Sequence, residues 1–508
     1  MDAQYLRENI NDALIEALAS MAVNLPEDGI EYVGKYLLQY VERKQVKEKT
    51  LKRYEEIEAK AREHRDAELT REIANAEIRS KEEERINRLQ SFIDTLSSLS
   101  HSKHEAMSRT VNFLCDYLNI PAAYIAIKRV GAEVESLNYI AASDGQQHCI
   151  GNKIIKQPED AEEPPVRKGL SFDALKLPEL PEEEEVEVPE GEEPPPKPVP
   201  KPSPLNIDNV VRDDRIKFFG IPKLGALVVI PLSFESVDHE NGCTLTYDED
   251  GQPLYNMNKV NTELILSMDT IGKYRCFQPK DVEIAQSVCE KMISTFVSIE
   301  SKMYEDNVKS LDAIRPLIPP ITESMEGLKA AEDEAANEAV GALDEEEKAE
   351  LGPMKEAISR ALYWTQNVIN APIRTATASL KDHVLPPPAV VSSLFFATGC
   401  LVGIEPNSMR DPCKDISWDA LKQTVLDSLT SDAFNYNPQS ESTVQSEASA
   451  ANIRAYCEAT NVFDAAAYPS LYQGCVPISI WLQKNLTARE TAISYFKESK
   501  NENIEIIA

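Results

Sequence analysis

Apolar side chains recur along residues 4–23 at Leu6, Ile10, Leu14, Leu18 and Met21. Steps of four and three put all five on one face of a helix. Asn24-Leu25-Pro26-Glu27-Asp28 interrupts the rhythm. Pro26 suits a first helical turn, and Glu27 and Asp28 suit the positive end of a helix dipole. A second stripe follows at Ile30, Val33, Leu37, Leu38 and Val41. The pattern predicts a helical hairpin of about 40 residues, too small to enclose a stable core alone. Such a hairpin buries its stripes by pairing with a second copy as a four-helix bundle.

Residues 42–100 are highly charged, with widely spaced apolar positions at Val46, Leu51, Ile57, Leu69, Ile73, Ile78, Ile86 and Leu89. They read as one long helix, partly coiled coil and largely solvated. About 50 such residues at 1.5 Å each would reach about 75 Å. After residue 90 the period changes. Segments 122–130, 137–145, 225–235 and 263–272 are short apolar or alternating runs of strand type, and 277–299 reads as a capped amphipathic helix. Helix, strands, excursion, strands, helix is an α+β layout with an antiparallel sheet. Residues 157–204 are dominated by Pro and acidic residues and predict a disordered insertion. Residues 238–256 read as a surface hairpin. Beyond 300 the pattern is helical, interrupted at Pro316, Pro319 and Pro320 and again near Gly341, with a Pro386–Pro388 elbow and a return helix over 474–496.

Charge and chemistry narrow the function classes. The net charge of −32 disfavours a nucleic-acid partner, which needs a basic face. No apolar run approaches the roughly 20 residues of a membrane span, and the N-terminus lacks the pattern of a signal peptide. The nine cysteines show no CxxC and no metal spacing, so they read as reduced thiols of the cytoplasm. There is no Walker loop, GxSxG elbow or HExxH. Neither catalysis nor a cofactor or metal is expected. The basic run Arg43, Lys44, Lys47, Lys49, Lys52 and Arg53 is compatible with calmodulin, although such runs more often form a solvated face.

Three resemblances refine this reading. Tyr5-Leu6, Leu14, Leu18 and "LPEDGIEYVGKYLL" (25–38) resemble the Dumpy-30 dimerisation motif, with Asn24 in place of the usual Arg and Gly29 in place of the usual Pro. That resemblance implies a dimer with itself or a related Dumpy-30 protein, and an apolar groove for a partner's amphipathic helix. It makes Leu6, Ile10, Leu14, Leu18, Met21, Ile30, Val33, Leu37 and Leu38 the dimerisation and partner-binding set. "LSMDTIGKYRCFQPKDVEIAQSVCEKM" (266–292) and the surrounding layout resemble a GAF domain. The asparagine-lysine-phenylalanine-aspartate-glutamate signature of cyclic-nucleotide-binding members is absent, and no set of polar residues converging on a pocket is visible. Pro386–Pro388, Trp418, Cys475, Trp481 and Tyr495 resemble the dynein heavy-chain stalk tip, a small helical bundle that binds microtubules. From residue 381 on, 9 Lys and Arg stand against 15 Asp and Glu, so an acidic cap would be repelled by acidic tubulin.

The expected organisation is multidomain α+β. A docking hairpin occupies 1–45, a long charged helix 46–90, a GAF-like domain 91–305 and a helical stalk and cap 306–508. A Dumpy-30 motif followed by a GAF domain resembles the radial spoke protein 2 family of motile cilia. That resemblance implies a scaffold subunit of the axoneme that binds an amphipathic helix of a spoke scaffold protein and contacts other axonemal subunits. The alternatives are a central-apparatus or dynein-docking subunit, or a ligand sensor built on the GAF-like domain.

Overall fold

The computed structural model describes all residues except 1–3, 5–6, 9, 101, 132–133, 157–168, 178–201, 214, 274, 370–372, 432–433, 435, 437–446 and 501–508, and omits the side chains of 368–369, 447–448 and 496–500. The described chain forms two compact units, Met1–Ser91 and Phe92–Ala508.

In the first unit, helix α1 (Asn11–Asn24) ends where Leu25 turns left-handed at φ 43° and donates its N–H to the Met21 carbonyl. Helix α2 (Gly29–Ser97) follows directly. Its cap is Asp28, whose Oδ1 accepts from the Ile30 and Glu31 N–H groups at 2.9 and 3.0 Å. Pro26 therefore lies before the cap rather than in the first turn, because an aspartate satisfies orphan N–H groups that Pro26 cannot. The second hairpin helix and the long charged helix are one uninterrupted element.

The second unit contains a sheet with helices on one face. Helix α3 (Lys103–Leu118) is capped by Ser102, which accepts from the Glu105 N–H. It leads into β1 (Ala122–Val130), β2 (Glu135–Ala142), β3 (Lys153–Ile155), β4 (Leu205–Ile207) and β5 (Leu227–Ser236). A hairpin of β6 (Cys243–Tyr247) and β7 (Pro253–Met257) precedes β8 (Val260–Asp269). The main sheet has the order β3-β2-β1-β8-β5-β4, antiparallel throughout. Strand β5 opens on an apolar run, 227–232, and β8 buries Leu264, Ile265 and Leu266 in its middle. Leu264, Leu266 and Met268 lie on one face of β8, and Ile265, Ser267 and Asp269 on the other.

Helices α3 and α4 (Pro279–Ile314) pack together on the sheet. The buried Glu300 of α4 ties this layer together: it pairs with Lys103 at 2.7 Å and accepts from Ser236 Oγ and the Val237 N–H. Residue 305, the expected end of the sheet domain, falls inside α4. Gln278 and Asp281 start α4 with a reciprocal capping box.

The opposite sheet face is covered by chain from the acidic excursion. The expectation that 157–204 is disordered throughout fails at a 3-10 helix, Leu170–Leu175, in which Leu170, Ser171, Phe172 and Ala174 are buried. Phe172 joins Ala126, Leu137, Ile154, Val229 and Ile265 in a core cluster. "LSFDAL" carries the apolar side chains that its neighbours lack, and burying them offsets the ordering cost. The most acidic and Pro-rich stretches lie outside the described residues.

After α4 the chain turns through a 3-10 step, Arg315–Leu317, into α5 (Ile318–Gly341). The prolines expected to interrupt the helix occupy turns where their missing N–H groups are tolerated. Helices α6 (Glu345–Ile369) and α10 (Val476–Lys500) pack along each other, and α5 packs on α6. Between them lie α7 (Ile373–Ser379), α8 (Ala389–Leu401), a helical segment over 418–430 with a π turn at Lys422–Leu426, and α9 (Glu447–Ala459). Trp364, Phe395, Trp418, Cys475 and Trp481 are buried in their common core. The β6–β7 hairpin, expected at the surface, packs Cys243, Leu245 and Tyr255 against that core. The loop around the Arg410–Ile416 bridge meets the sheet: Cys413 Sγ lies 3.7 Å from the Tyr139 carbonyl. A Cβ on Gly151 would sit 2.2 Å from the Pro412 carbonyl oxygen.

Candidate functional site

The hairpin buries small residues and leaves large ones outside. Ala13 and Ala17 form the buried side of α1. Ile10, Leu14 and Leu18, the expected stripe, are 36–44% exposed. Met21, Val33 and Leu37 are half-buried, while Ile30 and Leu38 are exposed. Leu6 lies outside the described residues. The alanines let the two helix backbones approach, and a polar clasp closes the turn. Tyr32 Oη lies 3.0 Å from Ser20 Oγ and accepts from Asn24 Nδ2 at 2.9 Å. Asn24 Nδ2 also donates to the Ser20 carbonyl at 2.9 Å. Gly29 leaves room for Met21, whose Sδ would lie 2.9 Å from an added Cβ. The two departures from the usual motif, Asn24 and Gly29, thus both serve the turn.

A second site lies on the sheet face covered by Leu170–Leu175. Its cavity of about 390 Å³ is lined by Tyr124, Tyr139, Ser171, Phe219, Ser267 and Asp269 among others. Tyr139 meets Tyr124 edge-on at 6.0 Å and Phe219 at 5.2 Å. Tyr124 stands opposite Ser267 in the β1–β8 register. Asp269 is 4% exposed, accepts from the Ile271 N–H at 3.0 Å and hydrogen-bonds the Tyr124 hydroxyl. Burial pushes its carboxyl up to about 6 against those two hydrogen bonds. Burial likewise raises the Tyr124 and Tyr139 hydroxyls and the Cys149 thiol. No polar convergence of this kind was legible in the sequence, because its members come from three strands and a 3-10 helix.

Comparison with known families bears on the hairpin. Residues 1–42 match the Dpy-30 motif. No curated protein matches the chain. The Dpy-30 motif is a dimerisation module that also docks a partner helix, and the N-terminal hairpin carries that motif. The exposed Leu14 and Leu18 lie one turn apart on α1, and Ile10 stands at its N-cap. Sequence periodicity found these outward residues but missed Ala13, Ala17, Ser20 and Tyr32. Alanines carry no strong apolar signal, and a hydroxyl clasp has no periodicity.

The aromatic and Cys positions of the C-terminal region serve packing. Trp418 Nε1 donates to the His383 carbonyl at 3.1 Å and Trp481 Nε1 to Thr365 Oγ1 at 2.9 Å. Cys475 is buried, and Tyr495 Oη donates to Glu350 Oε1 at 3.3 Å. His383 sits between Ser310 Oγ and Tyr472 Oη, and burial drives its pKa down to about 3. A neutral, enclosed imidazole at that junction is a structural bracket. Among the described residues, no group of three or more His, Cys, Asp or Glu is arranged to hold a metal ion.

Proposed function

We propose that this chain is a structural scaffold subunit of the motile-cilium axoneme, in the radial spoke, and that it works by binding rather than catalysis. The observation that carries this reading is the Dpy-30 hairpin with its outward Ile10, Leu14 and Leu18. Two copies bury these residues in a four-helix bundle, and the outer groove takes an amphipathic helix of a spoke scaffold protein. Burying two or three large side chains at roughly 1.5–3 kcal/mol each offsets the ordering of that helix. The antiparallel sheet between α3 and α4 supports a GAF-like reading of the middle of the chain. The pairing of Dumpy-30 and GAF-like parts underlies the axonemal assignment.

The test is capture from detergent-extracted cilia, with the full chain as bait beside Leu18→Asp and mass spectrometry as readout. Retention of a spoke scaffold protein by the wild type alone supports the proposal. Retention of central-apparatus or dynein-docking proteins moves the address and keeps the docking mechanism. Equal retention by both baits removes the hairpin from the account. A second reading, a sensor using the sheet module, is favoured by the cavity beside Asp269.

A further inference from the structure

The sheet cavity is built from features that a purely structural core lacks. A volume of about 390 Å³ lies within the usual range of small-molecule sites. Ser267 and Asp269 project from the same face of β8 into it, both less than 5% exposed. Ser267 Oγ has at most the Tyr139 hydroxyl as a partner. Asp269 has a backbone N–H and a tyrosine hydroxyl as partners, and no cation. Buried charges are ordinarily paired, and buried hydroxyls ordinarily bonded. The walls add Tyr124 and Tyr139, whose ring faces attract cations, and Phe219, whose ring already carries Lys217.

We propose that this cavity binds a small organic cation, an amine carried on an aromatic or apolar body, with Asp269 as its counter-charge and Ser267 as a hydrogen-bond partner. An anion would be repelled by Asp269. A neutral apolar ligand would leave the buried Asp269 without a counter-charge. Lys217 is turned to the Lys153 carbonyl at 3.1 Å and over Phe219 at 5.7 Å. Lys223 is exposed, so water and salt screen its charge, whereas Asp269 acts in a low-dielectric interior. The inference is independent of the docking function of the hairpin.

The experiment uses the full chain, with calorimetry and thermal unfolding in the presence of phenethylamine, its neutral analogue 2-phenylethanol and the anion phenylacetate. Spermidine and histamine widen the amine set. At least one amine is expected to bind and raise Tm, and phenethylamine to bind roughly tenfold or more tighter than its neutral analogue. Asp269→Asn should abolish amine binding while its own Tm stays at or above that of the wild type. That outcome separates lost recognition from lost folding. Ser267→Ala should weaken binding severalfold. Undiminished amine binding by Asp269→Asn overturns the proposal. So does equal affinity for 2-phenylethanol, or no binding by any of the three amines at millimolar concentration.

Discussion

Asp269 shows how one residue can cost stability where it stands. Its folded-state pKa of about 6 lies above the ordinary 3.8, so between these values the folded protein binds more protons than the unfolded chain. Stability therefore falls as pH rises through that window, and the full cost is present above it. Asp269→Asn removes the titration but keeps an acceptor for the Ile271 N–H. Urea unfolding should show the variant more stable than wild type at neutral pH, on the order of 2 kcal/mol, with the gain vanishing toward pH 4. A gain independent of pH would assign the effect to packing instead. At the hairpin turn, Tyr32→Phe should cost about 1 kcal/mol by removing the hydroxyl shared by Ser20 and Asn24. Hydrogen exchange at the Leu25 and Tyr32 amides would report it. Neither residue declares its role in the sequence. Asp269 is one acid among many, and its partner Tyr124 lies far away along the chain.

Elements with strong local periodicity were legible, and their mutual packing was not. The strands β1, β2, β5 and β8 lie within three residues of the runs that the apolar pattern marked, and α4 starts there but continues to Ile314, past the expected end at 299. β3 and β4 are three residues each, too short for an alternation to register. The association of α5, α6 and α10 depends on Glu332, one acid in an acid-rich segment. It is 3% exposed, receives Trp364 Nε1 at 2.8 Å and pairs with Arg360 at 2.9 Å and Lys484 at 2.5 Å. Burial raises its pKa, but these three partners outweigh burial and hold it below the ordinary value. Its contribution is therefore present above the ordinary carboxylate range and is lost as pH falls through the folded-state value. Glu332→Ala strands Lys484 and Trp364 and should cost about 3–5 kcal/mol. Glu332→Gln, which keeps an acceptor, should cost less. Denaturant midpoints of the two variants would order them, and equal midpoints would remove the charge from the explanation. The loop at 410–416 carries a similar hidden constraint. Gly151→Ala would drive a methyl group into the Pro412 carbonyl, and it should expose Cys413 to thiol labelling without unfolding α10.

At the scale of the whole molecule, the hairpin and the second unit answer to different rules. The second unit buries its large side chains within one chain, down to Trp364 and Trp481 at 0% exposure. The hairpin does the reverse: alanines inside, and Ile10, Leu14, Leu18, Ile30 and Leu38 outside. If the Dpy-30 hairpin completes its core with another copy, as proposed above, its stability is tied to protomer concentration. Leu18→Asp places an uncompensated charge in that shared core and leaves the described contacts of a single chain almost untouched. Light scattering should find the wild type dimeric and the variant monomeric. Thermal unfolding of the second unit, followed by the near-ultraviolet signal of Trp364, Trp418 and Trp481, should be the same in both. A variant that stays dimeric would move the interface off the Ile10–Leu14–Leu18 face. A variant whose tryptophan transition also falls would show that the second unit depends on dimerisation, which the burial of its core within one chain argues against.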